Sequence, residues 1–341
     1  MHTQKHKQKL FVPSPHFLKF LIYWACFKNK KIKMKNNREV RIAVVGTGMV
    51  GSSFAYAAMI KGLSAEIILV DACEEREAGE VMDLSHGLIG AKTGNVSGGT
   101  FRDCGNVDVI VITAGAAQAP GETRLDLVNK NVKILKGIIK QMGTLRPDTV
   151  VIMVSNPVDI LTYVAKKYIK LPANQIFGSG TSLDTSRLRY NISQMFGVNL
   201  HNVHGYVMGE HGDSEFVAWS TANISSMPID KLLTKKQMKD IEIKTRKAAY
   251  EIIQRKRATY YGIGIIICEL VEAVLRDTRK IVPISTIPGK DYGITDMCVG
   301  VPCVLGRNGV EKVWKVPLNA NEMKKLKNSA NLLKGILKGV K

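Results

Sequence analysis

A histidine, an aspartate and an arginine in two short segments of this sequence have the side chains needed for acid/base chemistry beside an anion. His211 lies in the segment GEHGDS, after the apolar run 203–208, which is typical of a strand. An imidazole titrates near neutral pH, so it is able to give or take a proton. Asp184 and Arg187 are three residues apart in LDTSRLRY, which places them on one face if that segment is helical. These two segments are the first candidates for a reactive site.

A third segment with a candidate cation follows a predicted strand. It runs from Gln118 to Leu127 (QAPGETRLDL) and contains Arg124. The proline and the glycine within it favour a loop, and we expect that loop to be mobile. Closure of such a loop would bring a cation to a substrate and exclude water.

The elements that must position these residues begin with a glycine-rich turn. Val40–Val45 is an apolar run typical of a buried parallel strand, and GTGMVG follows it directly. Gly46 permits the tight turn, Gly48 lets backbone approach a pyrophosphate, and Gly51 allows helix and strand to pack closely. The next apolar run ends at Asp71, whose carboxylate suits a ribose 2′-hydroxyl and repels a 2′-phosphate. The sequence therefore predicts NAD as the cofactor rather than NADP.

Strand-like and helix-like segments then alternate at the spacing of βαβ units. Apolar runs over 107–113 and 149–154 indicate two more strands, with a helix predicted over 125–142 between them. This alternation predicts an α/β fold with a Rossmann-type doubly wound parallel sheet, in which ligands bind at the carboxyl ends of the strands. The predicted cofactor-binding residues are Gly46, Gly48, Met49, Val50, Gly51, Asp71, Thr113, Ala114, Gly115, Val154, Asn156 and Ser179.

The pattern changes after residue 180, and it divides the chain into three predicted segments. Residues 34–180 form the NAD-binding domain, and residues 181–341 form a C-terminal mixed α+β substrate domain. That second domain is predicted to contain helices over 235–257, 259–275 and 319–337 and antiparallel strands over 281–287, 298–305 and 310–316. Residues 1–33 are interpreted as an N-terminal extension that is disordered or not native, with Met34 as the natural start. A weak membrane-surface anchor is the alternative.

Four motifs occur in the order in which the lactate/malate dehydrogenase family carries them. They are AGAAQAPGETRLDLV, SNPVD, GSGTSLDTSRLRY and GEHGDS, and the similarity extends from about residue 41 to the C-terminal helix. The chain therefore resembles that family. The resemblance implies hydride transfer between a nicotinamide and C2 of a 2-keto acid.

The resemblance also implies a role for each polar side chain in that reaction. His211 is the acid/base group, and Asp184 behind it fixes the tautomer and stabilises the imidazolium. Arg187 binds the substrate carboxylate with its planar, bidentate guanidinium. Arg124 polarises the ketone oxygen after loop closure, and Asn156 hydrogen-bonds the same oxygen.

One position of the family separates two substrates, and here it holds Gln118. Malate enzymes usually carry an arginine there, because oxaloacetate has a second carboxylate. A neutral glutamine beside the methyl group of pyruvate leaves no buried charge unpaired and rejects a dicarboxylate. Thr259 in ATYYGIG resembles the family's threonine beside the small substrate side chain. These residues favour pyruvate and L-lactate, and malate or another 2-hydroxy acid is the alternative.

Two further cationic positions resemble a control site of bacterial family members. Those members often bind fructose 1,6-bisphosphate between subunits, through residues that correspond here to Arg189 and His204. The resemblance implies that the bisphosphate is an activator and that the chain forms a homotetramer. The alternative is a helix-surface charge at Arg189 and a packing role for His204.

The formal net charge of +20 raises the hypothesis of nucleic-acid binding. Residues 1–33 hold eight lysines and no acid, so +12 remains without them, and six more lysines lie in 324–341. No recognition module accompanies this charge, so we predict no nucleic-acid partner.

The sequence has no apolar stretch of the roughly 18 residues that span a bilayer. The six cysteines show no CxxC spacing, and we predict a cytoplasmic protein with reduced, buried thiols, no metal and no membrane partner.

Overall fold

The computed structural model describes residues 38–117 and 121–340. Its strands are β1 (Arg41–Val45), β2 (Glu66–Val70), β3 (Asn95–Gly98), β4 (Val109–Ile112), β5 (Val150–Met153), β6 (Ile176–Gly178), β7 (Val203–His204), β8 (Val207–Met208), β9 (Phe216–Val217), β10 (Asn223–Ile224), β11 (Met227–Pro228), β12 (Lys280–Thr286), β13 (Val299–Gly306) and β14 (Gly309–Val313). Within the described residues, nine strands form one sheet in the order β14-β13-β12-β6-β5-β4-β1-β2-β3.

The described residues contain eight α-helices. They are α1 (Met49–Lys61), α2 (Glu74–His86), α3 (Arg124–Met142), α4 (Val158–Tyr168), α5 (Ser182–Phe196), α6 (Lys235–Lys256), α7 (Tyr261–Leu275) and α8 (Ala320–Lys338). Capping boxes start several of them, as at Asn319 and Glu322, where each side chain accepts the other residue's backbone N–H.

Strands β1 to β6 form the parallel half of the sheet. The strand β1 pairs with β2 on one side and with β4 on the other, so the strand order reverses at β1. The strands β4 and β5 are buried at every residue, and β1 at all but its first. Such continuous burial is typical of parallel strands covered by helices on both faces. The reversal opens a crevice at the carboxyl ends of β1 and β4, where folds of this type bind ligands.

Glycines allow β1 to turn directly into α1 at this edge. Gly46 has a φ of +99°, and a Cβ there would lie 2.5 Å from the backbone nitrogen of Ala114. A Cβ on Gly51 would lie 1.9 Å from the carbonyl oxygen of Gly46, so the helix approaches the strand too closely for any side chain. A Cβ on Gly48 would meet no atom within 4 Å. The backbone of Gly48 therefore faces open space at the start of α1.

Three antiparallel strands of the C-terminal half extend the same sheet. The strand β12 pairs with β6 through Ser285 and Gly178, and it pairs with β13 along its full length. The helix α7 packs against α1, where the backbone of Gly264 lies close to Ser53. The predicted fold class is confirmed: a Rossmann-type parallel sheet is followed by a mixed α+β half.

Two local predictions differ from the structure. The apolar run 203–208 forms two short strands in different sheets, because β7 pairs with β10 and β8 pairs with β9. Arg124, predicted in a loop, is the first residue of α3. Thr123 caps that helix: its hydroxyl accepts the Asp126 N–H, and the Asp126 carboxylate accepts the Thr123 N–H. The extension 1–33 and Gln118 lie outside the described residues.

The predicted state of the cysteines is partly confirmed. Those of the described residues are free, and four of them are buried, whereas Cys73 is exposed. Cys73 precedes α2 at the carboxyl edge of the sheet, so its thiol does not reach the core. Among the described residues, every helix is too short or too polar to cross a lipid bilayer.

Candidate active site

One buried carboxylate joins the two side chains that sequence reasoning placed nearest the reaction. Asp184 is 2% exposed and lies in the first turn of α5. Its Oδ2 lies 2.6 Å from Nδ1 of His211, and its Oδ1 accepts a 2.6 Å hydrogen bond from Nη1 of Arg187. The helical spacing of three residues places Asp184 and Arg187 on one face, as predicted. The pair with His211 leaves Nε2 as the ring atom available to a substrate.

The backbone around His211 is held by a second buried acid. The His211 N–H donates to Oδ2 of Asp159 at 2.8 Å, and the Ser285 hydroxyl donates to Oδ1 at 2.5 Å. Gly209 and Gly300 exchange two backbone hydrogen bonds just before this point. The histidine loop is therefore fixed to α4, β12 and β13 at once.

Electrostatics favour the protonated form of His211. Burial acts to lower its pKa, but the charge and hydrogen bond of Asp184, with Glu215 and Asp159, raise the pKa to about 9. Burial opposes ionisation of Asp184, yet His211 and Arg187 hold the pKa of that carboxyl below its usual value. The pair is therefore an imidazolium and a carboxylate at neutral pH, and the imidazolium has a proton to donate.

Arg124 reaches the residue that precedes His211. Its Nη2 donates to Oε1 of Glu210, a side chain that is 1% exposed. The Ser214 hydroxyl donates to the other oxygen of Glu210 at 2.5 Å, and the Glu210 N–H donates to Oγ of Ser329 at 2.8 Å. A guanidinium from the start of α3 is thus held beside the histidine loop.

A groove of about 1330 Å³ runs along the carboxyl ends of the parallel strands. The predicted cofactor residues that line it are Gly46, Gly48, Asp71, Thr113, Ala114 and Gly115. The Asp71 carboxylate at the end of β2 accepts the backbone N–H of Thr47 at 2.7 Å and that of Cys73 at 2.9 Å. Gly48 leaves room at the N-terminus of α1, whose unpaired N–H groups suit a pyrophosphate. The chain's residues therefore fit a dinucleotide in this groove.

The other predicted cofactor residues take different positions. Val50 and Gly51 lie inside α1, and Gly51 contacts the turn rather than the groove. Met49 is 60% exposed and lines a different surface groove with Tyr56 and Tyr261. The remaining three follow the ends of β5 and β6: Val154, Asn156 and Ser179.

Asn131 links two strand ends, and sequence reasoning missed it. It is 2% exposed on α3, its Oδ1 accepts the Ala116 N–H at 2.8 Å, and its Nδ2 donates to the Asn156 carbonyl at 2.8 Å. The signal was present in the sequence, because this polar residue occupies the apolar stripe of α3 formed by Val128, Val132 and others. A buried amide in such a stripe indicates a structural hydrogen-bonding role.

The remaining predicted site residues are Thr259, Arg189, His204 and Gln118. Thr259 lies partly buried in the link between α6 and α7. Arg189 on α5 lies against the Gly205 carbonyl, with two nitrogens at 3.4 Å, and its guanidinium carbon lies 5.7 Å from the centre of the Tyr206 ring. His204 is exposed on β7, one residue before Gly205. Gln118 lies outside the described residues.

Hydrogen bonds connect the dinucleotide groove to the acid/base pair. The Asn131 side chain hydrogen-bonds the backbone of Ala116 and that of Asn156. Asp159 follows Asn156 by three residues and accepts the backbone N–H of His211, whose ring contacts Asp184. A dinucleotide crevice beside a carboxylate-held imidazole is the arrangement of a nicotinamide-dependent dehydrogenase.

Comparison with known proteins supports this class and narrows it. Residues 40–178 match the family described as lactate/malate dehydrogenase, NAD binding domain, and residues 181–341 match lactate/malate dehydrogenase, alpha/beta C-terminal domain. An L-lactate dehydrogenase of Clostridium botulinum is 43% identical over 311 residues, which cover 89% of this chain and 98% of that relative. An L-lactate dehydrogenase of Acetivibrio thermocellus is 42% identical over 313 residues, with 89% and 99% covered.

Two solved structures are similar in fold as well as in sequence. A lactate dehydrogenase from a Medee basin deep-sea metagenome library has a TM-score of 0.85 and 42% identity, with 89% of this chain and 99% of that chain covered. The minor L-lactate dehydrogenase from Enterococcus mundtii, in a ligands-bound form, has a TM-score of 0.85 and 38% identity, with 89% and 98% covered. This chain belongs to the lactate/malate dehydrogenase family.

Proposed function

We propose that this protein is an L-lactate dehydrogenase that interconverts pyruvate and NADH with L-lactate and NAD+, as the names of its relatives indicate. The observation that carries the proposal is the buried carboxylate of Asp184, which holds a proton donor and a guanidinium side by side. A keto acid needs both groups: a cation for its carboxylate and an acid for its ketone oxygen.

Each side chain has a separate task in the proposed reaction. NADH, when bound in the groove, supplies the hydride to C2 of pyruvate. Arg187 binds the pyruvate carboxylate, and His211 gives its Nε2 proton to the ketone oxygen as the hydroxyl of lactate forms. Asp184 stabilises the imidazolium before the transfer and keeps the ring oriented after it. Lactate oxidation reverses these steps and requires the neutral imidazole.

Two groups are proposed to stabilise the ketone oxygen as charge develops on it. Arg124 leaves the carboxylate of Glu210 and turns its guanidinium toward the substrate, where it polarises the C=O bond. Asn156 donates a hydrogen bond to the same oxygen. The backbone of Asn156 is held by Asn131, so its side chain starts from a fixed position.

The preference for pyruvate is proposed to depend on Gln118 and Thr259. A neutral amide and a small side chain suit a methyl group, whereas a second carboxylate would be buried without a cation. Malate dehydrogenase activity is the alternative within the family. Substitution of Gln118 with arginine should shift the preference from pyruvate toward oxaloacetate.

An NADH-oxidation assay with pyruvate, oxaloacetate and 2-ketobutyrate tests the proposed function. We expect pyruvate to have the highest kcat/KM. His211→Ala should lose about two to four orders of magnitude in turnover while NADH still binds. A higher kcat/KM with oxaloacetate would assign the protein to the malate branch, and full turnover by His211→Ala would remove the proposed acid/base role.

Fructose 1,6-bisphosphate is proposed as an activator that binds at Arg189 and His204. The support is their proximity: Arg189 lies against the carbonyl of Gly205, directly after the exposed His204. Two cations from facing subunits would bind a phosphate and favour the active assembly. Pyruvate saturation should change from sigmoidal to hyperbolic when the bisphosphate is added, and identical curves across pH 5–7.5 would overturn the proposal.

A homotetramer is proposed on the evidence of an exposed apolar surface. Met49, Tyr56, Ile60, Tyr261 and Ile265 are exposed around one groove between α1 and α7. Grouped apolar side chains on a surface are typical of subunit interfaces. Light scattering at assay concentrations should give four times the chain mass of 37.6 kDa. A cytoplasmic location remains a prediction from the sequence.

A further inference from the structure

A third carboxylate lies beside the proposed acid/base pair, and the mechanism above does not use it. This is Glu215, the last residue before β9. We propose that Glu215 is a positioning residue whose charge keeps the proton on His211 as the pH rises. The inference rests on the proposed function, because it concerns the same proton.

The geometry places Glu215 within the electrostatic reach of the pair. Its side chain is 6% exposed. One carboxylate oxygen of Glu215, one of Asp184 and a ring nitrogen of His211 all lie within 4.8 Å of one another. In a protein interior, a unit charge at that separation changes the proton affinity of its neighbour by more than about one pKa unit. A change in the charge of Glu215 must therefore change the protonation of His211.

The chain holds Glu215 in this position through its backbone. Its N–H donates to the carbonyl of Gly212 at 3.1 Å, and its carbonyl accepts a 3.0 Å hydrogen bond from Nη2 of Arg246 on α6. These contacts fix the loop between His211 and β9 from both sides. The carboxylate is therefore a defined part of the site and not a surface acid.

Charged groups from four elements surround this carboxylate. Those that act on it directly are Asp184 and Arg187 on α5, Arg246 on α6 and His211 in the same loop. The fourth element is α4, whose Asp159 faces His211 and is itself affected by the charge of Glu210. Burial and the nearby Asp184 charge raise the pKa of Glu215 to about 8, against the opposing effect of His211, Arg187 and Arg246. Below that pH, the carboxyl group is neutral.

The charge that Glu215 carries once it is ionised gives this residue its effect. The pKa values of His211 and Glu215 are both raised, so both groups lose their protons above neutral pH. The new negative charge then stabilises the imidazolium of His211 and delays its deprotonation. Pyruvate reduction needs the imidazolium, so it persists at higher pH. Lactate oxidation needs the neutral ring, so its onset moves to higher pH by the same amount.

The test compares the pH profiles of wild type, Glu215→Gln and a matched control. The control is Asp213→Asn, which removes an exposed carboxylate of the same loop that accepts a 3.1 Å hydrogen bond from Tyr250. In Glu215→Gln, we expect the alkaline limb of pyruvate reduction to move to lower pH by about one unit. The acid limb of lactate oxidation should move in the same direction by the same amount. Asp213→Asn should retain the wild-type profiles.

Superimposable profiles for Glu215→Gln and wild type would overturn the proposal. A loss of activity by one constant factor at every pH would also overturn it, because a purely structural role has no pH signature. Glu215→Ala provides a second variant without the charge, and it should show the same shift. Far-ultraviolet circular dichroism establishes that each variant is folded.

A measurement without substrate separates this inference from the proposed function. Diethyl pyrocarbonate modifies the neutral imidazole, and mass spectrometry of the His211 peptide gives the modification rate at each pH. The midpoint of that rate should be about one unit lower in Glu215→Gln than in wild type. If pyruvate is not a substrate, the proposed function fails while this midpoint still decides the role of Glu215.

Discussion

His211 and Arg187 contact opposite oxygens of one buried carboxylate, that of Asp184, each at 2.6 Å. The Asp184 side chain therefore holds both the proposed proton donor and the residue proposed to bind the substrate carboxylate. Because both contacts are charge-assisted, each reinforces the ionised form of Asp184 and the orientation of the other partner. A substitution at Asp184 should consequently affect substrate binding and proton transfer together.

Asp184→Asn tests this coupling. An amide presents an N–H group toward one of two donors, so either the imidazole or the guanidinium loses its partner. We expect kcat for pyruvate reduction to fall by about two to four orders of magnitude and KM for pyruvate to rise. Steady-state kinetics with NADH in excess measure both constants. A fall in kcat with an unchanged KM would show that Arg187 does not depend on Asp184.

The ion pair also predicts how stability depends on pH. The pKa of His211 is raised from 6.5 to about 9 in the folded protein, so the folded state binds the proton more tightly than the unfolded state. The resulting stabilisation is fully present below pH 6.5 and is lost as the pH rises through 9. The loss amounts to about 3 kcal/mol in the free energy of unfolding.

Urea denaturation of wild type and His211→Gln at several pH values measures this loss. Between pH 6.5 and 9.5, the free energy of unfolding should decrease more in wild type than in the variant. Glu215 adds a decrease of its own at lower pH, because its pKa is also raised, from 4.5 to about 8. Parallel curves for the two proteins would exclude His211 as a source of pH dependence.

Most of the fold could be predicted because its signals are local. The apolar run before Gly46 and the glycine spacing after it specify a buried strand, a tight turn and a helix, whatever the rest of the chain does. The start of α3 was predicted one residue late, although the capping box of Thr123 and Asp126 was visible in the sequence. The break between β7 and β8 depends on pairing with different partner strands, which the apolar pattern does not encode.

The supporting acids of the site were harder to predict because their contacts are distant in sequence. Asp159 is 52 residues from His211, and Glu210 is 86 residues from Arg124. Residue types indicated only that carboxylates were present near the motifs. Glu215 gave a weak signal in the sequence. It begins the apolar stretch EFVAW, and an acid is uncommon in a stretch that is expected to be buried. Burial and partner identity became visible only with the tertiary structure.

Asn131→Ala should lower the stability of the protein and weaken NADH binding, because it removes a buried amide that joins two strand ends. The change leaves the backbone groups of Ala116 and Asn156 without their side-chain partner. Loss of a buried hydrogen-bonding partner typically costs about 1–3 kcal/mol, so the midpoint of urea denaturation should fall accordingly. The KM for NADH should also rise, because Ala116 lines the dinucleotide groove. Lys130→Ala, at an exposed position of the same helix, is the control, and equal effects of the two substitutions would contradict this role.

Asp71→Asn should weaken the preference for NADH over NADPH. The carboxylate lies at the end of β2 with its oxygens bound by the backbone N–H groups of Thr47 and Cys73, so it cannot turn away from a ribose. Its charge favours the 2′-hydroxyl and repels a 2′-phosphate, and asparagine removes that repulsion while keeping the size of the side chain. A charged hydrogen bond contributes about 1.5–3 kcal/mol, so kcat/KM for NADH should fall roughly ten- to a hundredfold while that for NADPH rises. Glu74→Gln, which changes another acid of the same groove, should leave the ratio unaltered. An equal ratio of NADH to NADPH efficiency in Asp71→Asn and wild type would mean that the selectivity arises elsewhere in the groove.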